Sequence, residues 1–175
     1  TIPVKYNTNR FRSSLEAWGK DLRFWMRFPT RQGEVVTVKT AVSAVSSDGA
    51  KLNMQELEGK TFASLKAEGE KLWEGQLSKF KIEATPEQRE TFYTSVYHAF
   101  LHPFIFQDAD GKFRELDKNI GQAEGFTNYT VFSLWDTYRA LHPLFNLVQR
   151  DINADIVNSM LAHYDKSVEH LSLIH

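Results

Sequence analysis

The sequence predicts an α+β chain with a strand-like front and a helical back. Two patterns and one motif carry that prediction. Leu22, Phe24, Met26 and Phe28 alternate with Arg23, Trp25 and Arg27, the period-2 signature of a half-buried strand. From Thr61 onward the period changes, and Phe62, Leu65, Gly69, Leu72, Trp73 and Phe80 fall near helical spacing. Thr85-Pro86-Glu87-Gln88 then combines an N-cap, a proline at the first helical position and a capping-box glutamine.

A helical stripe through Leu15, Trp18, Leu22 and Trp25 competes with the strand, but the alternation is unbroken from Asp21 to Phe28 and a turn follows it. Pro29 to Gly33 supplies that turn. Val35 to Val45 is β-branched and mostly alternating, so the pair reads as a hairpin whose sheet needs further strands. Ile82 reads as a short extended step. The capped helix is expected from Pro86 to about Leu101, stopped by Pro103. Asp108-Ala109-Asp110-Gly111 reads as a turn. Val131, Leu134, Trp135, Tyr138, Leu141 and Phe145 mark a helix bent at His142-Pro143. A last helix is expected from about Ala154 to His170, capped by Asn153 or Asp151, with Ile156, Val157, Met160, Leu161 and Tyr164 as its apolar stripe.

Composition excludes several classes. The chain has 175 residues, 42% hydrophobic and 25% charged, which is globular composition. A formal net charge of -1 lacks the basic excess of a nucleic-acid binder. Without cysteine there is no disulfide, zinc-thiolate site or thiol catalysis. No run of roughly 18 apolar residues is present to span a membrane as a helix. Aromatic residues reach 13%, and their faces suit stacking against sugars or partner surfaces. A start at Thr1 without Met and an apolar end at Leu171 to His175 read as a processed or truncated product.

The densest constellation is Tyr129 to Leu144, YTVFSLWDTYRALHPL. An indole beside a carboxylate can clamp a sugar, the ring stacking on apolar C–H faces and the acid accepting from hydroxyls. Neighbouring helix positions diverge by about 100°, so Trp135 and Asp136 would touch different parts of a ligand. The alternative places Trp135 in the core and pairs Asp136 with Arg139 at i,i+3.

This run, with FYTSVYHAFLHPFIFQDADGKFRELD before it, resembles the calcium-dependent exo-α-mannosidases of glycoside hydrolase family 92 from about Asp21 onward. The resemblance implies the end of an N-terminal β-sandwich over residues 1–58, a helical linker over 59–84 and the start of an (α/α)6 toroid over 85–175. It implies trimming of mannose-terminated glycans, of α-1,2 type, with inversion of configuration. It places Trp135, Asp136 and Arg139 at the terminal-mannose subsite, with Arg139 orienting Asp136 and His142 capping the bent helix. Inverting enzymes use two carboxyl groups about 6.5–9.5 Å apart. The family's Gly-Asn-Glu-type acid, its base and most calcium ligands match no stretch of this sequence, so the chain is expected to be inactive without the rest of its parent polypeptide. The chain reads Leu-Ser-Leu-Ile-His where the family continues toward Leu-Pro-φ-Trp (φ apolar), and Asn128 where a His often precedes the run, keeping a hydrogen-bond donor. An extracellular or periplasmic location is likewise implied.

Other motifs are weaker. Asp108-x-Asp110-Gly111 begins like a calcium loop without its later ligands. His98 and His102 stand at i,i+4 without the glutamate of a zinc helix. Ser133 has no nucleophile-elbow glycines, and there is no glycine-rich phosphate loop. Two further readings stay open: a carbohydrate-binding module stacking sugars on Trp25, Trp73 or Trp135, and a helical interaction protein.

Overall fold

Three short strands pair at the front of the chain. The computed structural model describes residues 3–6, 9–12, 20, 23–24 and 27–166, and the chain divides into two units, Thr1–Val38 and Lys39–His175. In the first unit, β1 (Pro3–Tyr6), β2 (Asn9–Arg12) and β3 (Arg23–Phe24) form an antiparallel sheet of order β2-β1-β3. The register sets Val4 opposite both Phe11 and Phe24.

The strand around Phe24 thus exists, while Leu22, Trp25 and Met26 lie outside the described residues. Its partner differs from the expected one. The turn forms, with Gly33 at φ 85 and Glu34 N–H donating to the Arg31 carbonyl at 3.1 Å. Beyond it, residues 34–45 form no strand, and Val35 and Val42 are each 86% exposed. β-Branched residues favour a strand only through packing on a pleated, half-buried surface, and β3 pairs with β1 instead.

The second unit opens with α1 (Ser47–Met54) and a 3-10 turn over Gln55–Leu57, inside the stretch read as the end of a strand region. Ser46 caps α1 by accepting from Gly49 N–H at 3.0 Å. The segment is tied to a buried carboxylate. Asp108 accepts from Ser43 Oγ at 2.6 Å and Asn53 Nδ2 at 2.8 Å, and Asn53 Oδ1 accepts from Ala109 N–H at 2.8 Å. Arg114 adds Nε and Nη2 donations to the Ala44 and Val45 carbonyls at 2.9 and 3.0 Å. The expected turn is present, with Gly111 N–H donating to the Asp108 carbonyl at 2.8 Å.

Two long helices follow. α2 (Phe62–Leu77) starts at a Thr61–Ser64 capping box, and half-buries Leu65, Gly69, Trp73 and Gln76. Phe62 and Leu72, read as part of its apolar stripe, are 80% and 71% exposed. α3 (Pro86–Ala99) begins as its motif predicts: Thr85 Oγ1 accepts from Gln88 N–H at 3.3 Å, and Gln88 Oε1 accepts from Thr85 N–H at 3.1 Å. Thr85→Ala is therefore expected to destabilise the chain by about 1 kcal/mol, measured as a lower urea midpoint. Ile82 lies in the irregular link between the helices.

The back half also contains strands that helical periodicity did not foretell. β4 (Phe104–Ile105) pairs with β7 (Tyr129–Thr130), and β5 (Lys112–Arg114) pairs with β6 (Ile120–Gln122), both antiparallel. The helix expected to bend at His142-Pro143 is two helices, α4 (Leu134–Thr137) and α5 (Leu141–Val148), broken at residues 138–140. Pro143 sits in the first turn of α5, where its missing N–H is harmless. Its ring would meet the carbonyl four residues earlier, at Arg139, so the break falls before it.

The last helix, α6, spans Arg150–Asp165 and starts before the expected caps; positions 167–170 lie outside the described residues. Its buried face runs through Ile152, Ile156, Ser159, Met160 and His163, while Val157, Leu161 and Tyr164 are 44%, 57% and 55% exposed. The core is Tyr129, Phe145 and Ile156, with Phe100, Phe132 and Leu141 packed around it.

Candidate functional site

The segment joining β7 to α5 is anchored from below. Ser159 on α6 is fully buried and accepts from Tyr129 N–H at 2.9 Å while donating to the Asp155 carbonyl at 2.7 Å. Asn128, just before, is also fully buried; its amide donates to the Phe106 carbonyl at 2.8 Å, and its N–H to Gln107 Oε1 at 2.7 Å. Its donors therefore serve the interior. Burial raises the Tyr129 hydroxyl above its ordinary pKa, with the Asp155 carboxylate adding to the effect.

From this anchor the chain rises into α4. Trp135 is 70% exposed, which removes it from the core. Asp136 accepts from Ser133 Oγ at its Oδ2, and its N–H donates to the Ser133 carbonyl at 3.1 Å. Arg139 does not hold Asp136. Its Nε donates to the Tyr138 hydroxyl, and its guanidinium carbon stands 5.2 Å from the Tyr138 ring centre. Tyr138 in turn leans on Trp135, with ring centres 5.9 Å apart. The site is thus an exposed Trp135–Tyr138–Arg139 ridge beside a carboxylate fixed by a serine. Ser133 and Asp136 are three apart, a spacing that marks such a pair in the sequence.

Asp136 keeps acceptor capacity after Ser133 is served, because a carboxylate offers about four lone-pair sites. The exposed indole face can take the C–H face of a sugar. Chemically, the ridge can bind and orient a hydroxylated ring. Below it, Ser133, Thr137 and His142 join Pro103, Phe132 and Leu141 around a cavity of about 210 Å³. Trp135 and Asp136 lie on open surface outside that wall. His142 Nδ1 is 3.3 Å from Asn153 Oδ1 on α6.

The remaining candidates have structural surroundings. Among the described residues no group of three or more His, Asp or Glu is placed to hold a metal ion. Asp108 faces hydroxyl and amide donors, and Asp110 faces the Lys112 ammonium at 2.6 Å, so this loop does not fit calcium. His102 packs on Phe104 at 5.4 Å between ring centres. Trp73 packs on Tyr97 at 4.4 Å, and Trp25 lies outside the described residues. Among the described residues, no helix is long and apolar enough to cross a membrane.

His163 is a buried titratable group on α6. It is 7% exposed, between Phe113 and Phe132 at 6.2 and 5.8 Å, and burial lowers its pKa from the ordinary 6.5. The unfolded chain binds this proton more readily than the folded one. Stability is therefore lost as pH falls below 6.5 toward the lowered value, and the effect vanishes above it. His163→Gln should flatten the fall in urea midpoint between about pH 7 and about pH 5. An unchanged slope would contradict this assignment.

The profile of the glycosyl hydrolase family 92 catalytic domain matches residues 49–172, and the chain belongs to that family. It is similar to the family GH92 α-mannosidase BT3965 from Bacteroides thetaiotaomicron: 64% identity, TM-score 0.91, over 96% of this chain and 24% of that one. The structure of that enzyme in complex with mannoimidazole matches equally, at 64% identity and TM-score 0.91 over 96% of this chain and 23% of that one. The GH92 family glycosyl hydrolase ccman5 matches at 26% identity and TM-score 0.65, over 70% of this chain and 17% of that one. The chain thus spans about a quarter or less of the length of these relatives. No curated protein matches it.

Proposed function

We propose that the chain is an interior part of an exo-acting, inverting α-mannosidase that trims mannose from glycans, of α-1,2 type. The family match over residues 49–172 carries this reading. The mannoimidazole complex of a 64% identical relative supports a mannose-like ligand. In this reading Trp135 stacks on the terminal mannose and Asp136, held by Ser133, accepts from its hydroxyls. Arg139 acts through Tyr138, supporting the ridge on which the sugar rests. The residues 1–58, 59–84 and 85–175 correspond to the end of a β-sandwich, a helical linker and the start of an (α/α)6 toroid. The acid, the base and the calcium ligands come from the remainder of the parent polypeptide, which acts outside the cell or in the periplasm.

The reading predicts that the purified 175-residue chain releases no mannose from α-mannosides in the presence of calcium. Chelator-sensitive turnover by this chain alone would overturn the assignment of acid and base to residues beyond it.

A further inference from the structure

The ridge at Trp135 carries more than one face of the size of a sugar ring. Trp135 is 70% and Tyr138 45% exposed, and their ring centres stand 5.9 Å apart with the planes inclined at 40°. A single pyranose cannot lie face-on against two rings so inclined. Two sugars joined by a glycosidic bond can, because their rings stand side by side and turn relative to each other about that bond. Exposed aromatic faces suit the C–H faces of both.

The hydrogen-bonding groups along the ridge divide in the same way. Asp136 accepts from Ser133 Oγ, and its remaining capacity is lone pairs, so that end of the ridge accepts. The other end donates. Arg139 Nε is committed to the Tyr138 oxygen, and its guanidinium carbon lies 5.2 Å from the Tyr138 ring centre. Tyr138 thus accepts from Arg139 and keeps its own O–H proton to give. Among the described residues, neither that proton nor Arg139 Nη1 and Nη2 meets a hydrogen-bond or ion-pair partner. A guanidinium has donors and no acceptor, and the ring beneath it holds its plane in place.

We propose that Tyr138 and Arg139 form a second sugar platform, which receives the sugar from which the terminal mannose is cut. The inference rests on the function proposed above, in which Trp135 and Asp136 hold the terminal mannose. Tyr138 offers its ring, while its O–H and the Arg139 Nη groups donate to oxygens of the second sugar. Ring and glycosidic oxygens accept and cannot donate, so a donor-only end complements them. An anionic substituent is a poorer match, because the Asp136 carboxylate in the adjoining turn repels it. The two residues then determine specificity: a mannoside whose leaving group is a sugar gains contacts that a smaller leaving group cannot make.

Kinetics of the whole parent enzyme on α-1,2-mannobiose and on α-mannosyl fluoride, whose leaving group carries no ring, test this. Arg139→Ala and Tyr138→Ala are each expected to lower kcat/KM on the disaccharide about tenfold more than on the fluoride. Tyr138→Phe keeps the ring and removes the O–H, and should show a smaller loss of the same kind. Trp135→Ala should lower both activities alike, since both substrates present the terminal mannose. All three positions are exposed, so the fold should survive, which circular dichroism checks.

Equal losses on the two substrates in Arg139→Ala and Tyr138→Ala would overturn the inference, because residues that merely prop Trp135 move both together. So would unchanged kinetics in these variants, or a larger loss on the fluoride. With Trp135→Ala still impaired on both substrates, those results leave the function proposed above standing. An ineffective Trp135→Ala, or an unaltered parent enzyme that cleaves neither substrate, would count against that function and overturn this inference with it.

Discussion

Ile156→Ala is expected to destabilise the chain by about 2–5 kcal/mol, the range for truncating a fully enclosed aliphatic side chain. Ile156 is 0% exposed and packs in the cluster of Tyr129 and Phe145 that joins α6 to β7 and α5. Few residues of this unit are buried, so a cavity here removes a large share of what holds the site's foundation. Ser159, one turn further along the same face, fixes the Tyr129 backbone and should lose its grip as the helix shifts. Chemical denaturation measures the loss. Val157→Ala, on the 44% exposed side of the same helix, should cost far less. Equal effects at both positions would show that the buried face has been wrongly assigned.

Asp108→Ala is the second large effect expected. It strips the acceptor from Ser43 Oγ and Asn53 Nδ2, both held at hydrogen-bond distance around a side chain only 4% exposed. Losing hydrogen bonds to a buried charge, at about 1.5–3 kcal/mol each, should release the segment from Ser43 to Asn53. Gly49 offers an independent check on the same knot. A methyl there would overlap the Asp108 carboxylate and stand 2.7 Å from Ser43 Oγ, so Gly49→Ala should also destabilise. If the overlap is the cause, Gly49→Ala should cost less in the Asp108→Ala background than alone, and a double-mutant cycle measures that coupling. Strict additivity would exclude it.

Much of this architecture was legible in the residues, and the exceptions have physical causes. Thr85-Pro86-Glu87-Gln88 specified the start of α3 because capping is local and depends on few atoms. The turn at Gly33 and the turn at Gly111 were equally local. The strand expected over Val35 to Val45 was not found, because β-branched residues need a partner and β3 takes β1. β1 and β2 were missed for their brevity, although two four-residue segments separated by two residues are a hairpin signal. On α6 the expected apolar stripe holds at Ile156 and Met160 but not at Val157, Leu161 and Tyr164, which are exposed. Hydrophobicity pointed to Val157 and Leu161, whereas the buried face includes the polar Ser159 and His163. Those two are buried because one pins a backbone and the other fills space between two phenylalanines.

The candidate site divides the same way. The runs Tyr129–Leu144 and Phe92–Asp117 indicate the family to which the chain belongs, and Trp135 and Asp136 stand out by their density within the first of them. What holds Asp136 was not identified: charge favoured Arg139, while geometry gives Ser133. The break before Pro143 explains the difference, since it ends α4 at Thr137 and frees Arg139 to turn onto Tyr138.

Kinetics of the whole parent enzyme on an α-mannoside decide whether the ridge grips the sugar that is cut. Trp135→Ala and Asp136→Asn alter exposed side chains, so folding should survive both. Each is predicted to lower kcat/KM by about 10- to 100-fold, the loss of one stacking face or one charged hydrogen bond to the substrate. Values within about twofold of the unaltered enzyme, with the fold intact, would show that the mannose binds elsewhere.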